Sequence, residues 1–137
     1  MTAVPTENIL IVEDEKDLVR LIQKKLEKDG YGVVLAGSAE SALKIARETP
    51  PSLLLLDIEL PTMDGLTFLR LLRRESQVPV IILSGRSTDV DRILGLKAGA
   101  NDYIVKPFSL EELVARIDCI LRRRENGDAS KRRPSAG

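Results

Sequence analysis

Five short apolar runs, each followed by a longer segment of helical period, restrict this chain to one kind of architecture. Such alternation marks repeated strand and helix units, because parallel strands can be joined only by long crossovers, usually helical. Strands are expected near Ile9 to Val12, Gly32 to Ala36, Leu53 to Leu56, Val80 to Leu83 and Tyr103 to Val105. The first, third and fourth are apolar throughout, as strands covered by helices on both faces are. The expected fold is therefore α/β, a doubly wound five-stranded parallel sheet. A chain of 137 residues with 43% apolar content is sufficient for one domain with a proper core, and no second folded domain is expected.

The intervening segments carry the period of an amphipathic helix. Leu18, Leu21, Ile22 and Leu26 mark a helix from about Lys16 to Asp29, closed by Gly30. Ala42, Leu43 and Ala46 mark a second, from about Ala39 to Glu48, which Pro50 and Pro51 stop. A third follows Gly65, with Leu66, Leu69 and Leu72 as its inner stripe, and a fourth from about Asp89 to Ala98 carries Val90, Ile93 and Leu94 before Gly99. The last opens with Ser109 and Glu112, a capping box in which hydroxyl and carboxylate each satisfy an orphan amide of the other residue. Its stripe is Leu110, Leu113, Val114, Ile117 and Leu121. Residues 1–7 read as an N-terminal extension, 8–124 as the folded domain, and 125–137, polar and without period, as a disordered basic linker or tail.

Basic and acidic residues number 21 each, so the whole molecule offers no electrostatic case for nucleic acid or a membrane. The balance conceals an asymmetry: 15 basic against 19 acidic residues up to Leu121, and 6 against 2 after it. A single cysteine, Cys119, excludes an internal disulfide framework, and with no histidine to activate it the thiol reads as a small apolar side chain. No apolar stretch approaches the roughly 20 residues of a membrane span, and nothing at the N-terminus resembles an export signal. A reduced cytoplasmic setting is the expectation.

Chemistry concentrates at the ends of the apolar runs. Glu13 and Asp14 follow the first, Asp57 the third, Ser84 the fourth and Lys106 the fifth. In an open parallel sheet, ligands bind beyond the strand C-termini, so these side chains converge on one crevice. Taken singly, each is ordinary cap or turn chemistry. Three carboxylates together are not, because two of them about 4 Å apart repel by roughly 4 kcal/mol at an effective dielectric near 20. They call for a cation, and an all-oxygen donor set suits Mg²⁺. Lys106 precedes Pro107, and a cis bond there would aim the ammonium inward, toward Asp57 or an oxyanion placed on it.

The segments Ile11-Val-Glu-Asp14, Leu55-Leu-Asp-Ile-Glu-Leu-Pro61, Met63-Asp-Gly65 and Ala100-Asn-Asp-Tyr-Ile-Val-Lys-Pro-Phe108 carry a specific resemblance. Over about Asn8 to Arg123 the chain resembles the two-component response-regulator receiver domain, the CheY-like phosphoacceptor family. That resemblance implies a flavodoxin-like (βα)5 receiver with strand order 2-1-3-4-5. It implies Asp57 as phosphoacceptor, with Mg²⁺ held by Asp14, by Asp57, by the Glu59 backbone carbonyl and by Glu13 through water. Ser84 and Lys106 would bind phosphoryl oxygens, and Tyr103 would be the switch residue whose ring turns inward as Ser84 moves.

The last third is similar to the OmpR/PhoB type, whose output is a winged-helix DNA-binding domain. Arg92, Asp102, Glu112, Arg116 and Arg123 match its charged dimer face, while Asn101 stands where aspartate is common and removes a partner for Arg123. Ser84 and Gly85 stand where threonine and alanine are commoner. The implied partners are a sensor histidine kinase and, on phosphorylation, a second copy of the chain; DNA would be reached only through an output domain absent from this chain. Enzymatic activity would be limited to Mg²⁺-dependent self-phosphorylation and self-dephosphorylation, and with no histidine the chain cannot be the phosphoryl donor. One alternative is a stand-alone phosphoacceptor. Another is an aspartyl-phosphate hydrolase of the haloacid-dehalogenase type, but Asp57-Ile58-Glu59 offers glutamate where that family expects a second aspartate. Nucleotide binding lacks both a G-x-G-x-x-G and a Walker lysine loop.

Overall fold

The computed structural model describes residues 7–60 and 63–132, with side chains as far as Arg124. Strands and helices alternate: β1 (Asn8–Val12), α1 (Lys16–Lys28), β2 (Gly32–Ala36), α2 (Ala39–Glu48), β3 (Leu53–Asp57), α3 (Gly65–Arg73), β4 (Val80–Ser84), α4 (Asp89–Lys97), β5 (Asp102–Val105) and α5 (Leu110–Arg132). The five strands form one parallel sheet in the order β2-β1-β3-β4-β5. Strand order and element count are those expected from the sequence.

Alternation along each strand divides the interior into two layers. Leu10, Val12, Leu54, Leu56, Val80 and Ile82 face a layer with Phe68, Leu69 and Leu72 of α3 and Ala39 and Ala42 of α2. Ile9, Ile11, Leu53, Leu55, Ile81 and Leu83 face the other, with Ile22 and Leu26 of α1 and Leu113, Ile117 and Leu121 of α5. This is why the central strands are apolar at consecutive positions: both faces are dry. Ser38 and Thr88 cap α2 and α4, each side-chain oxygen accepting an amide at 3.1 Å. Gly30 and Gly99 follow α1 and α4 at φ +95° and +117°, a conformation that costs other residues energy.

Three expectations need correction. Leu21 is 55% exposed rather than on the inner stripe of α1, because Ile22 and Leu26 already fill the space against β1 and β3. The capping box of α5 is half formed: Ser109 Oγ accepts the Glu112 amide at 3.0 Å, but the Glu112 carboxylate lies 3.6 Å from Arg116 one turn on. Residues 125–132, expected to be disordered, continue α5 as helical backbone to Arg132. Once a helix is nucleated, each added residue forms a hydrogen bond at little cost, and no proline interrupts before Pro134. Residues 1–6 and 133–137 lie outside the described residues.

Phe68 is fully buried between α3 and the sheet. Phe68→Ala leaves a cavity that close-packed neighbours fill only in part, so unfolding free energy should fall by about 3–5 kcal/mol in urea titration.

Candidate functional site

The C-terminal ends of β1, β3, β4 and β5 meet at one edge of the sheet. In-register pairing sets Val12 beside Leu56, Asp57 beside Leu83 and Ser84 beside Val105, so the residues that end or follow these strands stand together. Carboxylate oxygens of Glu13, Asp14 and Asp57 all lie within 4.8 Å of one another. Glu13 and Asp57 are buried and Asp14 is exposed, which gives the cluster a dry floor and a wet mouth. Ser84 is wholly buried.

Lys106 reaches this cluster from the end of β5, after which the Lys106-Pro107 bond is cis. Its Nζ is 2.7 Å from Glu13, and 3.6 Å from both Asp57 and Glu15. The sequence suggests Asp57 as the partner of the ammonium; the closer partner is Glu13, whose carboxylate is the more deeply buried and depends most on a counter-charge. Glu13 Oε2 also accepts the amides of Asp14 and Glu15 at 3.1 and 3.2 Å. Burial nevertheless dominates, and with the neighbouring Asp57 it pushes the Glu13 carboxyl up to about 7 from an ordinary 4.5, against the opposing pull of Lys106. Lys106 in turn is held above its usual value: burial opposes this, but the hydrogen bond to Glu13 and the Asp57 charge prevail.

Backbone groups orient the reactive side chains. The Glu59 amide donates to Asp57 Oδ1 at 2.9 Å, and the Arg86 amide donates to Ser84 Oγ at 3.0 Å. Gly65 opens α3 directly against the loop after β3. Its amide donates to the Ile58 carbonyl at 3.0 Å, and a Cβ there would overlap the Ile58 backbone. Tyr103 lies inward at 7% exposure, its hydroxyl donating to the Arg86 carbonyl at 2.9 Å. Sequence reasoning does not single out Glu15, the third carboxylate on Lys106, or Arg86, which also stands 3.8 Å from Glu59. Arg86 follows Ser84 by two residues as Glu59 follows Asp57, a symmetry visible in the sequence.

The charged residues of α4, β5 and α5 gather around a separate depression, which Arg92, Leu96, Asp102, Glu112 and Arg116 line. Asp102 and Arg116, both expected on the dimer face, pair with each other within one copy at 2.8 Å. Asn101 stays exposed while its side-chain oxygen accepts the Val80 amide at 2.9 Å and Arg73 at 3.2 Å, tying the approach to β5 to α3 and β4.

Donor chemistry and geometry fit a hard divalent cation: clustered carboxylates, no nitrogen or sulfur ligand, and an open exposed side at Asp14. Among the described residues no helix is long and apolar enough to cross a membrane.

Residues 9–118 match the response regulator receiver domain. The chain is 45% identical to the transcriptional regulatory protein BaeR of Escherichia coli over 90% of its own length and 53% of that protein's. It is 43% identical to the alkaline phosphatase synthesis transcriptional regulatory protein PhoP of Bacillus subtilis, over 85% of this chain and 49% of the other. The chain thus spans about half the length of the curated relatives it matches. The BeF3-activated N-terminal receiver domain of Klebsiella pneumoniae RstA superposes with a TM-score of 0.81 at 37% identity, covering 85% of this chain and 99% of that one.

The raised Glu13 carboxyl predicts an inverted pH dependence. In protein stripped of divalent cations, the folded state holds the Glu13 proton more tightly than the unfolded chain does, so this contribution to stability is lost as pH rises from 4.5 to about 7. Urea midpoints across that window should fall with pH, and Glu13→Gln should flatten the decline; an unchanged slope would show that Glu13 is not the group responsible.

Proposed function

The chain belongs to the response-regulator receiver family, and from that premise we propose that it accepts a phosphoryl group on Asp57 and passes the change to the face formed by α4, β5 and α5. The observation that carries this reading is a buried aspartate with a lysine 3.6 Å away, beside a neighbouring strand that ends in a fully buried serine. A carboxylate oxygen of Asp57 attacks phosphorus as the bond to the donor, a phosphohistidine or a small acyl phosphate, breaks. The leaving group takes the electron pair. Asp57 is oriented for this by the Glu59 amide on Oδ1. Lys106, within 3.6 Å of Oδ2, can leave Glu13 to neutralise an incoming phosphoryl oxygen, and the Ser84 hydroxyl can donate to another.

Asp14, Asp57 and the Glu59 carbonyl are the groups we assign to Mg²⁺, with Glu13 acting through water. The ion, when bound, supplies charge neutralisation and alignment for an anionic nucleophile meeting an anionic substrate. Family membership favours a sensor histidine kinase as the cognate donor, and with no histidine this chain cannot itself be the phosphohistidine donor. The half-length match to transcriptional regulators favours a separate output domain as the route to DNA. A cytoplasmic location follows from that role.

Acyl phosphate with Mg²⁺ should add one phosphoryl increment to the intact mass, absent in Asp57→Asn and without metal. Equal labelling of Asp57→Asn would mean the nucleophile is misassigned. Lys106→Ala should be phosphorylated far more slowly and respond weakly.

We further propose a two-fold dimer through α4, β5 and α5, in which Arg92 with Glu112 and Asp102 with Arg116 each form twice. The Asp102 pair would be exchanged for the one present within the protomer, so its net gain is small. Exposed pairs contribute only about 0–1 kcal/mol, and the dimer should therefore be weak and salt-sensitive. Sedimentation with beryllofluoride should detect it, and a monomer at high concentration with and without the mimic would refute it.

A further inference from the structure

Helix α4 meets the sheet through a glycine. Across Asp89–Lys97, Gly95 is the buried residue, while Val90, Ile93, Leu94 and Leu96 are 64%, 50%, 44% and 49% exposed. Glycine inside a helix is destabilising relative to alanine, so its presence here calls for a reason in the packing. A Cβ on Gly95 would stand 2.9 Å from Ile82 Cδ1 and 3.0 and 3.2 Å from Cδ2 and Cε2 of Tyr103. The approach to Ile82 is closer than real contacts come and the two to the ring are tighter than most, so Ile82 and the ring would both have to give way. The missing side chain therefore makes a seat, and the Tyr103 ring occupies it.

The opposite end of the ring leads to the phosphoacceptor site. Tyr103 Oη donates to the Arg86 carbonyl, and the Arg86 amide donates to Ser84 Oγ. An unbroken series of contacts runs from the α4 backbone through the ring and the Arg86 backbone to the buried hydroxyl. If the ring leaves, Gly95 keeps only Ile82 of its two neighbours on the sheet, while the four exposed apolar side chains of α4 remain on its surface.

We propose that Gly95 is a positioning residue: its absent side chain forms the seat that keeps Tyr103 inward against the Ser84 loop, and the same seat docks α4, so ring position and helix docking are one event. The use of that coupling in signalling rests on the phosphoacceptor reading above. The seat itself can be tested without phosphorylation.

The chain has two tyrosines and no tryptophan, so in a Tyr31→Phe background the emission reports Tyr103 alone. Adding Gly95→Ala should raise acrylamide quenching toward that of an exposed tyrosine and speed hydrogen exchange in α4. The thermal midpoint should fall on Gly95→Ala when Tyr103 is present and rise when it is replaced by Tyr103→Ala, because helix preference then acts without the clash. Unchanged quenching, or the same midpoint shift in both backgrounds, would overturn the seat. A final comparison separates the two claims. Gly95→Ala should still acquire phosphate on Asp57 yet lose the change in α4 exchange that beryllofluoride induces in the parent; an undiminished change would overturn the coupling. Failure of the parent to be phosphorylated would instead refute the phosphoacceptor reading and leave the quenching and midpoint results standing.

Discussion

One lysine holds together the charged end of this sheet. Lys106 Nζ lies within 4 Å of Glu13, Asp57 and Glu15, and among the described residues no other cation is paired with Glu13 or Asp57. With Asp14 that makes four carboxylates at the crevice against one ammonium, an excess of negative charge in a place where burial weakens screening. Burial first, and the neighbouring Asp57 after it, raise the Glu13 carboxyl. Of the events proposed for the site, cation binding offsets this excess, phosphoryl acceptance adds to it, and Lys106 can only redistribute its one charge between partners.

The sheet makes this arrangement rigid. Asp57 and Ser84 end two neighbouring central strands whose other residues are fully buried, so neither can withdraw from the crevice without disturbing both apolar layers. The flanking elements are held less firmly. β2 is only partly buried, and α4 contributes little more than a glycine to the interior. Such an element can shift at small cost, which suits a helix that reports the state of a fixed site. Rigidity at the strand ends and looseness at α4 follow from the same pattern of burial.

Much of this was legible in the residues. The uninterrupted apolar runs at Leu53 to Leu56 and Val80 to Leu83 required a sheet covered on both faces, and the charged residues that follow them located the crevice. Periodicity misled where it recorded amphipathicity without saying which face is inward: Leu21 and the apolar residues of α4 are exposed. The partner of Lys106 could not be read either, since choosing Glu13 over Asp57 depends on about 1 Å of placement and on relative burial. Gly95 looks like a blemish in a helical pattern, because its role is to make room for a ring on the next strand, a contact that only the packing reveals. At the C-terminal end, absence of an apolar stripe in the sequence does not mean absence of helix, since the backbone of α5 runs on to Arg132.

The central claim is that the acidic crevice is built for a divalent cation that offsets its excess charge. Titration of the domain with Mg²⁺ by calorimetry tests this directly. The expected result is a single saturable site that raises the unfolding midpoint, abolished in Asp14→Ala and in Asp57→Asn. Absence of binding to the parent protein, or equal binding after loss of both carboxylates, would contradict it.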